Sequence, residues 1–399
     1  MTRFTYSDRD FRTDITATHP RVASSSPSTF DALLTSGWSD RMRRGGVFRY
    51  RLDELRTRVL PGPLSYVAQL NTLRGVERRK PQEVRSIKQS YDPHQFNFNR
   101  VQEGEVLFEM TRRQGPGEAG PEGERVMVVV NVSPLEFGHC LLVPEPSRCL
   151  PQVLTPLAVR TGMEAVLLSA DPGFRVGFNS LGAFASVNHL HLHGYYLRSE
   201  LLLETVAVRP LVARRGFYRL TRLPRGFMFY ATADDLDDVA RALYRVTETL
   251  VRGDVAHNLF LTRGCLPDGD GRRDEGHQRR DEELQRRDEG HQRRDEGHQR
   301  SDEGHQRSDE GHQRSGDEGH QRSGVRVALW PRRSCFGAKE ERAFNVALCE
   351  LAGHLPFKVQ QDYECMTEDE VLEIIERYLL PEEDFVRLEK QLVADLMDL

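Results

Sequence analysis

No stretch of this 399-residue chain approaches the eighteen consecutive apolar residues of a membrane-spanning helix, so a span is excluded. The first residues, Met1 to Asp8, lack the apolar centre of a secretory signal, and Asp8, Asp10 and Asp14 argue against a mitochondrial presequence. Six cysteines (Cys140, Cys149, Cys265, Cys335, Cys349, Cys365) are scattered and never spaced Cys-x-x-Cys. That removes support for a cysteine-type structural zinc and leads us to expect reduced thiols in the cytosol. Basic charge is not in excess: 56 Lys and Arg face 61 Asp and Glu, a net charge of −5, and no basic-aromatic surface is visible. Nucleic acid and membrane are therefore not expected as partners. With 38% hydrophobic and 29% charged residues, the chain reads as a soluble protein of two to three average domains. Nothing in it encodes an oligomeric state.

What is present is a row of histidines. In Val187-Asn188-His189-Leu190-His191-Leu192-His193-Gly194-Tyr195-Tyr196-Leu197, three histidines alternate with two leucines. A period of two predicts a β-strand with one buried face. Leu190 and Leu192 go to the core, and His189, His191 and His193 project to one side, about 6.5–7 Å apart by strand rise. Three readings compete. A polar strand face with incidental histidines leaves buried imidazoles without partners, which is costly. A metal site needs the imidazoles to converge and a further ligand, and no nearby carboxylate or cysteine pair supplies one. In the third, a neutral imidazole attacks phosphorus while its neighbours fix the tautomer and bind phosphate oxygens.

Two upstream segments favour the third. Phe178-Asn179-Ser180-Leu181-Gly182-Ala183-Phe184-Ala185-Ser186 is a loop of small and polar residues whose backbone N–H groups and hydroxyls can approach an anion. Asn131 to Pro144 turns between two apolar strands and carries His139 directly after Gly138. Together these segments resemble the histidine-triad superfamily of nucleotide hydrolases and transferases, and within it the GDP-hexose phosphorylase branch. The resemblance extends over Phe48 to about Val101, Val126 to Leu197, Ala256 to Phe260 and Phe344 to Leu355. It implies that His191 is the nucleophile that becomes guanylylated, flanked by His189 and His193, with His139 the fourth member of the catalytic set. Asn179 and Ser186 match positions that contact the α-phosphate or ribose, and the Gly182 to Ser186 loop supplies backbone donors. The implied substrates are GDP-glucose and inorganic phosphate, with no cofactor and no metal. His193 stands where transferases of the superfamily often have glutamine, so hydrolysis is a competing outcome. A guanine-nucleotide-binding regulator without turnover is the alternative from a different class.

Along the chain, residues 1–29 read as a disordered leader, 30–210 as a catalytic half and 211–399 as a related half interrupted by an insert at 266–324. Ser28 is a helix cap, with Phe30, Leu33, Leu34 and Trp38 on the buried face. Phe96-Asn97-Phe98-Asn99 alternates like an edge strand. The strands, joined by short turns with one helix interposed, predict an α+β fold of antiparallel sheets with packed helices and two related halves. Asn345-Val346-x-x-x-Glu350-x-x-Gly353-His354 echoes Asn131-Val132-x-x-x-Glu136-x-Gly138-His139, which suggests an internal duplication. The second copy lacks the triad, so His257 and His354 read as structural. Within the insert, Asp-Glu-Gly-His-Gln-Arg recurs every seven residues with no fixed apolar position, which cannot form a coiled-coil seam and predicts a disordered loop. The tail from Thr367 reads as two acidic helices parted at Pro381. Arg175, Arg332 and Lys339 are the basic candidates for contact with a nucleotide sugar.

Overall fold

The computed structural model describes residues 2–13, 15, 26–52, 55–77, 81–115, 118–119, 124–267, 323–336 and 342–399; the repeated units of the insert and Lys339 lie outside them. Its strands are β1 (Arg3–Tyr6), β2 (Thr57–Val59), β3 (Val67–Leu70), β4 (Val106–Gly115), β5 (Glu118–Ala119), β6 (Arg125–Val130), β7 (Cys140–Pro144), β8 (Phe174–Asn179), β9 (Leu192–Tyr196), β10 (Val208–Val212), β11 (Phe217–Leu220), β12 (Phe227–Ala231), β13 (Ala256–Gly264), β14 (Gly324–Arg332) and β15 (His354–Phe357). The expected sheets merge into one twelve-stranded sheet in the order β1-β4-β6-β7-β9-β8-β13-β14-β12-β11-β10, with β5 on β4. Apart from the parallel pair β1–β4, it is antiparallel, and β15-β3-β2 form a separate small sheet.

Alternation sorts side chains between two cores. On β12, Phe227, Phe229 and Ala231 enter one core while Met228 and Tyr230 enter the other; on β14, Val325, Val327 and Leu329 oppose Ala328 and Trp330. The first core is covered by α3 (Pro156–Leu168) and α4 (Leu236–Arg252), which pack on each other. Helix α1 (Thr29–Arg44) joins it through Phe30, Leu34 and Trp38, and Ser28 caps it by accepting from the Asp31 N–H. The second core lies under the small sheet and the acidic helix Glu368–Glu376, and the short helix α2 (Thr72–Glu77) follows β3.

The two halves are related by strand order. The succession β6-β7-α3-β8-β9 recurs as β11-β12-α4-β13-β14, and the halves meet where β8 pairs antiparallel with β13. The echo of residues 131–141 at 345–355 is not this repeat. The first copy leads into β7 of the main sheet, whereas the second leads into β15 beside β3. The positional counterpart of the triad strand is β14, and the insert takes the place of the β8–β9 loop. Gly264 pairs with Gly324, so the insert extends a hairpin end at the opposite end of β13 from Asn258.

Three expectations are corrected. The leader is not wholly without structure: Arg3–Tyr6 pairs with β4, because Phe4 and Tyr6 alternate into the first core. Phe96–Asn99 is not an edge strand; Asn97 accepts from the Asn99 N–H and nucleates a single turn at Phe98–Arg100. The triad strand is shorter than its sequence pattern, beginning only at Leu192, since the Gln152 side chain takes the backbone of His191.

Candidate active site

The alternation of the triad stretch survives this irregularity. Leu190 and Leu192 enter the core with α3, and the histidines turn to the opposite face of the sheet. There an open cleft is lined by His139, His191, His193, Asn179 and Ser186. Phe96, Phe98, Val129 and Leu141 contribute an apolar part of the lining, and Asn71, Arg74, Asn345, Glu350 and Lys358 a polar part.

His191 is 2% exposed, and its ring geometry fixes its tautomer. Nδ1 lies 2.7 Å from the carbonyl oxygen of His189. A carbonyl can only accept, so Nδ1 carries the proton and Nε2 carries the lone pair. Burial pushes the pKa of His191 down to about 4, which makes charging the ring cost about 3 kcal/mol more than in water. The ring is thus a neutral nucleophile at pH 7. Gln152, buried beneath it, accepts from the His191 N–H at 2.9 Å and donates to the carbonyls of His191 at 3.1 Å and Asn179 at 3.0 Å.

A second chain of bonds sets His193. The Leu135 N–H donates to Nδ1 of His139 at 2.7 Å, so His139 holds its proton on Nε2. That Nε2–H points at Nδ1 of His193, 3.0 Å away, which places the proton of His193 on its own Nε2. Burial, and then the neighbouring charge of His193, hold the pKa of His139 well below the usual imidazole range. The Trp38 indole donates to the His139 carbonyl at 3.2 Å, and Gly138 at φ +70° turns the chain into this position.

His189 is displaced from the site. Its Nδ1 accepts from the Phe98 N–H at 3.0 Å, and the Phe98 ring stacks on it at 5.5 Å. It does not line the cleft, and burial lowers its pKa to about 4. Asn179 is oriented by two donors to its Oδ1, Asn258 Nδ2 at 2.6 Å and the Leu348 N–H at 3.1 Å, so Nδ2 is its donor end. Gly182 lies away from the lining, at φ +73° with Phe336 and Ile87 packed against it. In its loop the N–H groups of Ala183 and Ala185 bond to the Ser180 carbonyl, so these two donors are spent locally.

Of the basic candidates, Arg175 and Arg332 do not face the cleft, and Lys339 lies outside the described residues. Arg175 is buried and pairs with Glu204 at 2.6 Å. Arg332 lies over the adjoining rings of Phe184 and Tyr378 and donates to Asn258 Oδ1 at 3.3 Å. His257 and His354 are buried outside the lining. Sequence reasoning missed Gln152, Arg74 and Lys358, which no local motif marks, and met Glu350 only as part of the echo at 345–354. Among the described residues no cluster of metal-ligating side chains occurs, and no helix is long and apolar enough to cross a membrane.

Comparison with known proteins places the chain in a family. Residues 29–195 match the family described as "GDPGP1-like, N-terminal domain", and residues 320–399 match "GDPGP1-like, C-terminal domain". The chain belongs to the GDPGP1-like family. It is 50% identical over 394 residues to GDP-D-glucose phosphorylase 1 of Danio rerio, covering 98% of each chain. It is 45% identical to GDP-D-glucose phosphorylase 1 of Homo sapiens over 371 residues, 92% of this chain and 84% of the relative. In fold, this GDPGP1-like chain is similar to yeast Ap4A phosphorylase Apa2 in complex with Ap4A, with a TM-score of 0.51 at 13% identity, over 86% of this chain and 94% of that one.

Proposed function

We propose that this chain is a GDP-D-glucose phosphorylase of histidine-triad type, moving a guanylyl group from GDP-glucose to inorganic phosphate by double displacement. The observation that carries the mechanism is the fixed tautomer of His191: a buried neutral ring on the cleft with its lone pair on Nε2. In the first step Nε2 attacks the α-phosphorus, and the bond to the bridging oxygen breaks. Glucose 1-phosphate leaves with that electron pair, and GMP stays on Nε2. In the second step an oxygen of inorganic phosphate attacks the same phosphorus, the P–N bond breaks towards Nε2, and GDP departs.

The leaving group is a phosphate monoester, so positioning and charge stabilisation matter more than general acid help. Asn179 Nδ2, the Ser186 hydroxyl and the Nε2–H of His193 are the donors for the α-phosphate oxygens. His139 holds His193 in its donor tautomer. His189 is a positioning residue: its carbonyl takes the Nδ1 proton of His191. The apolar lining of Phe96, Phe98, Val129 and Leu141 suits a purine base.

Mass spectrometry of reactions quenched in the steady state should find GMP on His191, and His191→Asn should lose turnover and adduct while still binding nucleotide. A non-catalytic regulator would be indifferent to that change. The presence of His193 keeps hydrolysis as a second reading. Product analysis separates them: a phosphorylase gives GDP in proportion to phosphate, whereas a hydrolase gives GMP whatever the phosphate concentration.

A further inference from the structure

Two cations on the cleft have no part in the scheme above. Arg74 follows β3 by four residues, and Lys358 follows β15 directly; these strands are parallel and in register, Leu70 beside Phe357. The pairing therefore delivers both basic side chains from the same end of two adjacent strands. Gly75, next to Arg74, lies against Lys358: a Cβ built on it would stand 3.2 Å from Cβ of Lys358. Both residues line the cleft with His139, His191 and His193. Arg74 donates to the Ser133 carbonyl and, among the described residues, forms no ion pair with a carboxylate. Lys358 Nζ donates to Asn345 Oδ1 at 2.9 Å, which fixes its direction. Both cations are half-buried on the cleft wall, where a charge-assisted hydrogen bond to an anion is stronger than in open water.

We propose that Arg74 and Lys358 form the subsite for the second phosphate of the reaction. It holds the phosphate of the departing hexose 1-phosphate in the first step and inorganic phosphate in the second. The proposal rests on the reading of His191 as the guanylyl carrier and adds what selects the acceptor. A dianionic phosphate gains charge-assisted hydrogen bonds from a guanidinium and an ammonium, and neutral water gains little. Phosphate held there presents an oxygen to the guanylyl phosphorus. The new P–O bond forms as the P–Nε2 bond breaks, and the electron pair returns to His191. The cations thus bias a site with histidine at the third triad position towards phosphorolysis.

The test uses Arg74→Gln, Lys358→Gln and Arg74→Lys in the full chain. With GDP-glucose as donor, each glutamine variant should raise the KM for phosphate about ten- to a hundredfold, the worth of one charge-assisted bond. The share of product appearing as GMP should rise with it, and Arg74→Lys should recover part of the loss. Guanosine 5′-phosphorimidazolide carries no second phosphate, so its guanylylation of His191 should proceed in all variants at the parent rate. Parent-like KM for phosphate in both glutamine variants overturns the proposal. So does equal slowing with both donors, which would make the cations mere props of the Ser133 and Asn345 loops. If Arg74→Gln does not fold, Lys358→Gln decides by the same readouts. Failure of the unsubstituted protein to take guanylate from either donor would instead sink the reading of His191.

Discussion

Gln152 grips the backbone of His191 from both sides, accepting its N–H at 2.9 Å and donating to its carbonyl at 3.1 Å. One side-chain amide thereby replaces two sheet hydrogen bonds at the residue that presents the nucleophile. Both partners are buried, so either group left unpaired would cost about 1–3 kcal/mol.

The amide makes Gln152 a positioning residue. Gln152→Leu should lower the single-turnover rate of His191 guanylylation about a hundredfold, since small misplacement of a reacting group has effects of this size. Gln152→Glu keeps the acceptor for the His191 N–H but loses the donor, and should fall between. Rapid-quench kinetics at saturating GDP-glucose distinguishes these effects from weaker substrate binding.

Burial sets the pH response. His189, His191 and His257 are each pushed down to about 4, against about 6.5 for free imidazole. Between these values the unfolded chain binds protons that the folded chain does not. Stability is therefore complete above about pH 6.5 and is lost as pH falls from 6.5 towards 4. The urea midpoint should decline through that window. The guanylylation rate, in contrast, should show no acid limb near 6.5, because His191 stays neutral wherever the protein is folded.

The relay from Leu135 through His139 to His193 makes an ordered series. His139→Gln retains a donor towards Nδ1 of His193, whereas His139→Leu retains none. The glutamine variant should keep more activity, with the leucine variant down about a hundredfold in kcat. Steady-state rates at saturating substrate, with melting temperatures as the folding control, check this order.

Gly138 carries a stability prediction. At φ +70° an L side chain is strained, and a Cβ there would stand 2.5 Å from the Tyr196 ring. That ring cannot easily yield, since its hydroxyl donates to Asp31 Oδ1 at 2.7 Å. Gly138→Ala should cost about 2–3 kcal/mol, read as a lower urea midpoint with unchanged slope.

The hairpin of β13 and β14 predicts tolerance. Gly264 and Gly324 are paired and lie at the other end of β13 from Asn258, which orients Asn179. Replacing residues 266–322 with a short Asn-Gly turn should leave kcat and KM within about twofold, because loop-closure entropy changes slowly with length. Steady-state kinetics of the shortened protein is the measurement.

Alternation and capping were legible because they are local. Leu190 and Leu192 had to be buried once their period was two, and Ser28 had to cap once Phe30, Leu34 and Trp38 shared a helical face. The same locality misled at Phe96–Asn99, where a side chain captured the backbone two residues on. It misled again at residues 345–355, where a sequence echo falls in a different sheet from the true repeat.

By itself, the sequence determined which face of the triad stretch is apolar, the α+β class of the fold, and that several imidazoles share one side. Those follow from periodicities that act within one element. The tertiary structure alone decided that His189 is covered by Phe98, that Gln152 and the His189 carbonyl hold His191, and that Arg74 and Lys358 stand on one wall. Apart from the His189 carbonyl, two residues from His191, these depend on groups tens to hundreds of residues apart, whose meeting is fixed by strand order and packing rather than by any pattern along the chain.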